Sequence, residues 1–185
     1  SGEVQLTHSH VYVHVGKVGL GHEHAAVCQL KSGALSLVSP NAMGAYGKLV
    51  FDMASFDADG DTARRYIGLT GSTDASTRKQ VNENMLGKEV LDVKKYPVAI
   101  FEAKRISKMD GPSKRGFAQY KFEGDFTLHG TKKPLEFIAD VEIVKGWQHV
   151  RGAFTILQSD YGIKPYSKML GAVGVADKLE IFGDL

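Results

Sequence analysis

Apolar and polar residues alternate along most of this chain, the period-two pattern of strands that bury one face and wet the other. Val11, Val13 and Val15 alternate with Tyr12 and His14. Leu49, Phe51 and Met53 alternate with Val50, Asp52 and Ala54, and Phe122, Phe126 and Leu128 with Glu123, Asp125 and Thr127. The clearest run is 134–144, where Leu135, Phe137, Ala139, Val141 and Ile143 share one face and Glu136, Asp140 and Glu142 the other. A turn at Lys145-Gly146 leads into Val150, Phe154 and Ile156, and Leu179 with Ile181 close the series. Segments near 9–16, 25–38, 47–57, 97–108, 117–129, 133–145, 148–158 and 176–184 therefore read as about eight strands.

An open sheet of that size would leave two unpaired edges, whereas closure removes them and encloses room for packed side chains or one ligand. The pattern predicts an all-β fold, a closed eight-stranded antiparallel barrel, in one domain spanning 1–185. One interval, 61–96, departs from alternation. There Asp74 reads as a helix N-cap, with Val81, Met85 and Leu86 following at helical spacing. This predicts a short helical insertion around 74–88 that plugs or covers one barrel end. No internal repeat or linker marks a second domain.

Composition narrows the partners. With 43% hydrophobic content the 185 residues suit one domain with a sizeable core. A net charge of +2, scattered rather than clustered, provides no field for neutralising phosphates, so nucleic acid is not an expected partner. No apolar run approaches the roughly 20 residues of a transmembrane helix. Cys28 is the only cysteine, which rules out an internal disulfide and reads as a small buried hydrophobe in a strand. The chain has no Gly-x-Ser-x-Gly elbow, no glycine-rich phosphate loop and no recognisable Cys/His pairing, so it is read as a non-enzyme.

Several stretches carry a resemblance. His8-Ser9 opens an alternating valine strand, and Val90-Leu91-Asp92-Val93-Lys94-Lys95-Tyr96-Pro97 leads into Phe101. Phe126-Thr127-Leu128-His129-Gly130-Thr131-Lys132-Lys133-Pro134 turns between two strands, and Gln158-Ser159-Asp160-Tyr161-Gly162-Ile163 is followed by Leu170-Gly171. In this order, over nearly the whole chain, they resemble the YceI family. The resemblance implies a lipocalin-like barrel that holds a polyisoprenoid or similar amphiphile in an apolar tunnel. It implies non-enzymatic carriage of a polyisoprenoid, quinone or fatty-acyl compound, with no cofactor required, and dimerisation through edge or mouth residues. Members are usually exported. The chain opens at Ser1-Gly2 without a leader, and the expected location is the periplasm or the exterior. Glu89-Val90-Leu91 stands where the family usually carries paired aromatics.

A long apolar cargo needs a dry wall of aliphatic and aromatic groups. Alternation places Val11, Val13, Val15, Leu49, Phe51, Met53, Phe101, Phe122, Phe126, Phe137, Val141, Phe154 and Ile156 inside. They either line a ligand tunnel or simply fill the barrel, and alternation does not separate the two. At the mouth, His129, Lys132 and Lys133 would suit an anionic head group, or else form a solvated hairpin turn. Asp160 is expected to stabilise its own turn by accepting backbone N–H bonds.

Five of the seven histidines, His8, His10, His14, His22 and His24, fall within the first hairpin. Strand periodicity puts His8, His10 and His14 on one face, with His22 and His24 returning beside them and Glu23 near. Such a set would suit zinc, copper or nickel. The second functional expectation is therefore an exported metal-binding protein. The bland alternative is polar histidines on the wet face, with one buried histidine fixing a turn.

Overall fold

The computed structural model describes residues 2–38 and 46–185. Eight long strands form in chain order: β1 (His10–Gly19), β2 (His24–Leu35), β3 (Gly47–Asp52), β4 (Val98–Pro112), β5 (Ala118–Leu128), β6 (Thr131–Val144), β7 (Trp147–Leu157) and β8 (Val173–Asp184). Each pairs antiparallel with the next, and β1 also pairs with β8, His10 lying opposite Asp184 and Val13 opposite Ile181. The ring is closed. This is the all-β, eight-stranded closed barrel that the alternation predicts, of the lipocalin-like kind that the resemblance implies. Two-residue strands at Asp57–Ala58 and Ser167–Lys168 add to β2 and β8 outside the ring.

Turn chemistry sets the register. The hairpins at His129-Gly130 and Lys145-Gly146 each place two consecutive residues at positive φ, the twist that two-residue hairpins require. Register shifts in β1, β2 and β4 bend the strands around the core. At Gly124, β4 and β5 approach so closely that a Cβ would lie 2.2 Å from the Glu102 carbonyl oxygen. Only glycine fits there.

Inside, Phe122 stacks on Phe137 with centroids 5.0 Å apart, and Phe101 and Phe154 lie 5.4 and 5.1 Å from the Phe137 ring. Aromatic pairs at these separations add to the area term of burial. Ile143 departs from the expected inward face. It is 66% exposed because β6 runs past the rim there, pairing only with β7 in an outlying hairpin. The predicted strand 47–57 is likewise shortened: it stops at Asp52, whose carboxylate accepts the Ala54 N–H and starts a 3-10 turn over Met53–Ser55.

Between β3 and β4 lie two helices, α1 (Asp61–Ile67) and α2 (Ala75–Leu86). Helix α2 matches the expected insertion. The Asp74 carboxylate caps it, accepting from the Thr77 N–H at 3.0 Å and the Thr77 hydroxyl at 2.6 Å. Helix α1 was not predicted. It lies on the outer wall, where Tyr66 stacks on Tyr12 at 3.8 Å, so Tyr12 is buried although alternation puts it on the wet face.

Candidate functional site: an apolar cavity inside the barrel

The barrel encloses a cavity of about 230 Å³ that reaches from Val81 and Met85 of α2 to Val150 and Leu185 at the opposite end. Val11, Val13, Val15, Leu49, Phe51, Met53, Phe101, Phe122, Phe126, Phe137, Phe154 and Ile156 all line it. Val141 does not. It is buried, but it sits near the rim, two residues before the exposed Ile143, and stands outside the lining. Sequence reasoning left out Ala26, Leu135, Leu179 and Ile181, which share the same alternating faces, and Val81, Met85, Val90 and Leu91 from the insertion. Period-two spacing was available for the first four. No local signal aims the insertion residues inward.

Cys28 also lines the cavity, its thiol donating to the carbonyls of Gln29 and Asp52. Burial pushes this thiol up to about 12, against a smaller lowering by the Ser55 hydroxyl. Thiolate is the reactive form. At pH 8 the native protein should therefore react negligibly with an aromatic disulfide reagent and titrate one thiol once denatured; equal rates in the two states would contradict the burial.

One polar constellation borders the cavity. His24 donates from Nδ1 to Asp59 Oδ2 at 2.7 Å, while Asp59 Oδ1 accepts from the Ala25 N–H and from Arg64, both at 3.2 Å. Burial alone would raise the Asp59 carboxyl. The His24 hydrogen bond, the Ala25 amide and Arg64 together outweigh it and hold the group below the ordinary carboxylate range. Asp59 itself adopts φ 60°, a conformation that aspartate tolerates better than most residues.

The amino-terminal histidines do not converge. His14 faces outward, bridging Glu23 at 2.9 Å and Glu180 at 2.8 Å, and its hydrogen bond holds the Glu180 carboxyl below its usual value. His24 sits opposite Val15 in the β1–β2 register and so shares the inward face. His10 stands beside Tyr12, His8 beside Thr7, and His22 is exposed in the turn. Among the described residues no three His, Cys, Asp or Glu side chains gather in a metal-holding arrangement. Same-face spacing within one strand does not carry over across a hairpin when the register turns its partner inward.

The cations at the mouth already have partners. Lys132 pairs with Glu102 at 3.0 Å and Lys133 with Asp160 at 3.7 Å. The turn at Ser159 is held by Asp177, which accepts the Ser159 N–H at 2.8 Å and its hydroxyl at 2.5 Å, and not by Asp160.

Comparisons with known proteins bear on this barrel. The family model of the YceI-like domain matches residues 3–185. A search of curated protein sequences gives no match. Among solved structures, Burkholderia cenocepacia BcnA superposes with a TM-score of 0.63 at 23% identity, over 98% of this chain and 97% of that one. A polyisoprenoid-binding domain from Saccharophagus degradans, implicated in plant cell wall breakdown, superposes with a TM-score of 0.61 at 13% identity, over 98% and 94%. The Campylobacter jejuni YCEI protein gives 0.50 at 15% identity, over 88% and 78%. At such identities the likeness speaks for the fold.

Proposed function

This chain belongs to the YceI-like family, and on that premise we propose that it is a non-enzymatic carrier holding a long apolar or amphiphilic lipid, of polyisoprenoid, quinone or fatty-acyl type, inside its barrel. The single observation that carries this is the elongated void. Protein interiors are packed as densely as organic crystals, so a barrel merely filled by its own side chains would leave no space of about 230 Å³ along its axis. The wall of that space is branched-aliphatic and aromatic, and each CH₂ placed against it contributes about 0.8 kcal/mol. The neighbouring fold in Saccharophagus degradans, described as polyisoprenoid-binding, agrees with the isoprenoid class. The compartment crossed would be the periplasm or the exterior, as the family resemblance implies.

Native mass spectrometry and organic extraction of freshly purified protein test the proposal, with a co-purifying lipid expected. A blocked variant sharpens it. Ala26 and Ala99 are buried in the cavity wall, and Ala26→Phe with Ala99→Phe should reduce uptake of the neutral fluorophore N-phenyl-1-naphthylamine by roughly tenfold or more, since a filled pocket forfeits its dispersion contacts. Absence of any lipid together with absence of fluorophore uptake by the unaltered protein would sink it.

A further inference from the structure

Among the described residues, only four of the side chains lining the cavity carry nitrogen or oxygen: His24, Asn84, Gln158 and Tyr166. His24 opens β2, Gln158 directly follows β7, Asn84 lies on α2 and Tyr166 lies in the connection from β7 to β8. In an antiparallel ring those positions share one end. The rest of the wall, down to Leu185, is apolar.

From this segregation we propose that the cargo enters a fixed orientation, with an uncharged head group that both donates and accepts hydrogen bonds, a hydroxyl or carboxamide, held at the helix-capped end by His24 and Tyr166, and with its tail toward Leu185. The placement rests on the apolar-cargo proposal above and adds the class of head group.

The hydrogen-bonding capacity of each residue supports it. An ionised carboxylate only accepts, so the Asp59 contact fixes the hydrogen of His24 on Nδ1 and leaves Nε2 as its free polar atom. The Tyr166 hydroxyl accepts from Asn84 Nδ2 at 3.1 Å and keeps its own hydrogen to donate. The Gln158 amide nitrogen is committed to the Ala176 carbonyl at 2.8 Å. The end therefore offers an acceptor and a donor, the complement of an alcohol or amide.

A phosphate head is poorly matched. Among the described residues no lysine or arginine lines the cavity. Arg64 is engaged by Asp59 and Arg78 by Asp57 at 2.7 Å, while Lys168 lies over the Tyr166 ring, 5.6 Å from its centroid and outside the lining. A buried charge without a counter-charge is disfavoured far more than a buried hydroxyl with partners.

Competition against bound N-phenyl-1-naphthylamine tests this with all-trans-geranylgeraniol and its monophosphate as probes. The alcohol should displace the fluorophore with at least roughly tenfold higher affinity than the monophosphate, and His24→Ala and Tyr166→Phe should each weaken the alcohol by roughly three- to tenfold. Each variant is read against its own fluorophore affinity, and the alcohol should lose more than the fluorophore, whose single N–H allows it at most one such hydrogen bond. Tyr166→Phe keeps the ring and serves as the readout if His24→Ala, which disturbs Asp59, does not fold. A monophosphate as tight as the alcohol overturns the proposal, as does alcohol binding that neither removal weakens, or that Tyr166→Phe leaves unchanged where His24→Ala does not fold. If the unaltered protein takes up no fluorophore and no alcohol, the carrier function itself falls and this placement with it.

Discussion

Phe122→Ala is expected to lower the free energy of unfolding by about 3–5 kcal/mol, the range for deleting a large buried aromatic. Phe122 is 1% exposed, among the largest fully buried side chains, and stands in register between Ile106 on β4 and Phe137 on β6. Its ring lies parallel to that of Phe137, which is itself packed against Phe101 and Phe154. Removing it withdraws the ring stacked on Phe137 and widens a space that no neighbouring strand can close, because the ring of strands holds its diameter. Urea denaturation followed by circular dichroism measures the loss. Trp147→Ala, at a residue 56% exposed on the outlying hairpin, serves as the comparison and should shift stability by no more than about 0.5 kcal/mol. Similar effects at the two positions would mean that the aromatic stack is not what holds the barrel.

Asp59→Ala comes next in size, at about 3–5 kcal/mol, the range seen when one partner of a buried charge pair is removed. The substitution leaves the Ala25 amide, Arg64 Nη1 and His24 Nδ1 without their acceptor, and it unpins the segment between the two-residue strand at Asp57–Ala58 and α1. The effect should depend on pH with a definite sign. The folded-state carboxyl of Asp59 lies below the ordinary aspartate value of 3.8, so its contribution is complete above about that pH and is lost as pH falls through the lower folded value. The stability gap between wild type and Asp59→Ala should thus stay constant near neutrality and narrow only below about pH 4. A gap that already closes between pH 8 and 6 would contradict the role given to the Asp59 carboxylate.

How far the chain's structure can be read from its letters depends on whether the deciding partner is local. The strands were legible because a barrel wall has one dry and one wet face, and that asymmetry is written at period two in residues such as Val11, Val13 and Val15. The α2 helix was legible through Asp74, whose partner Thr77 is three residues away. Helix α1 was not: it is seven residues long, buries only Ala63, and finds its place through Tyr66 meeting Tyr12 on a distant strand. The Asp59 constellation was invisible for the same reason, since His24 lies 35 positions earlier. Asp160 looked like the natural acceptor for its own turn, yet Asp177, reached only through the β8 pairing, takes that place. The histidine hairpin misled because spacing along β1 says nothing about which face β2 presents after the turn.

The pairing of β1 with β8 also governs when the interior comes into being. Every other adjacency in the ring joins strands that follow one another in sequence, the widest step running from Asp52 to Val98 across the helical insertion, but His10 meets Asp184 only once nearly the whole chain is available. Contacts of such separation carry the largest closure entropy and tend to slow folding. Until that last seam zips, the apolar faces line an open, curled sheet wet on both sides. A dry compartment is therefore acquired in one late step, and a ligand of the proposed kind would enter either as the seam closes or afterwards through an end.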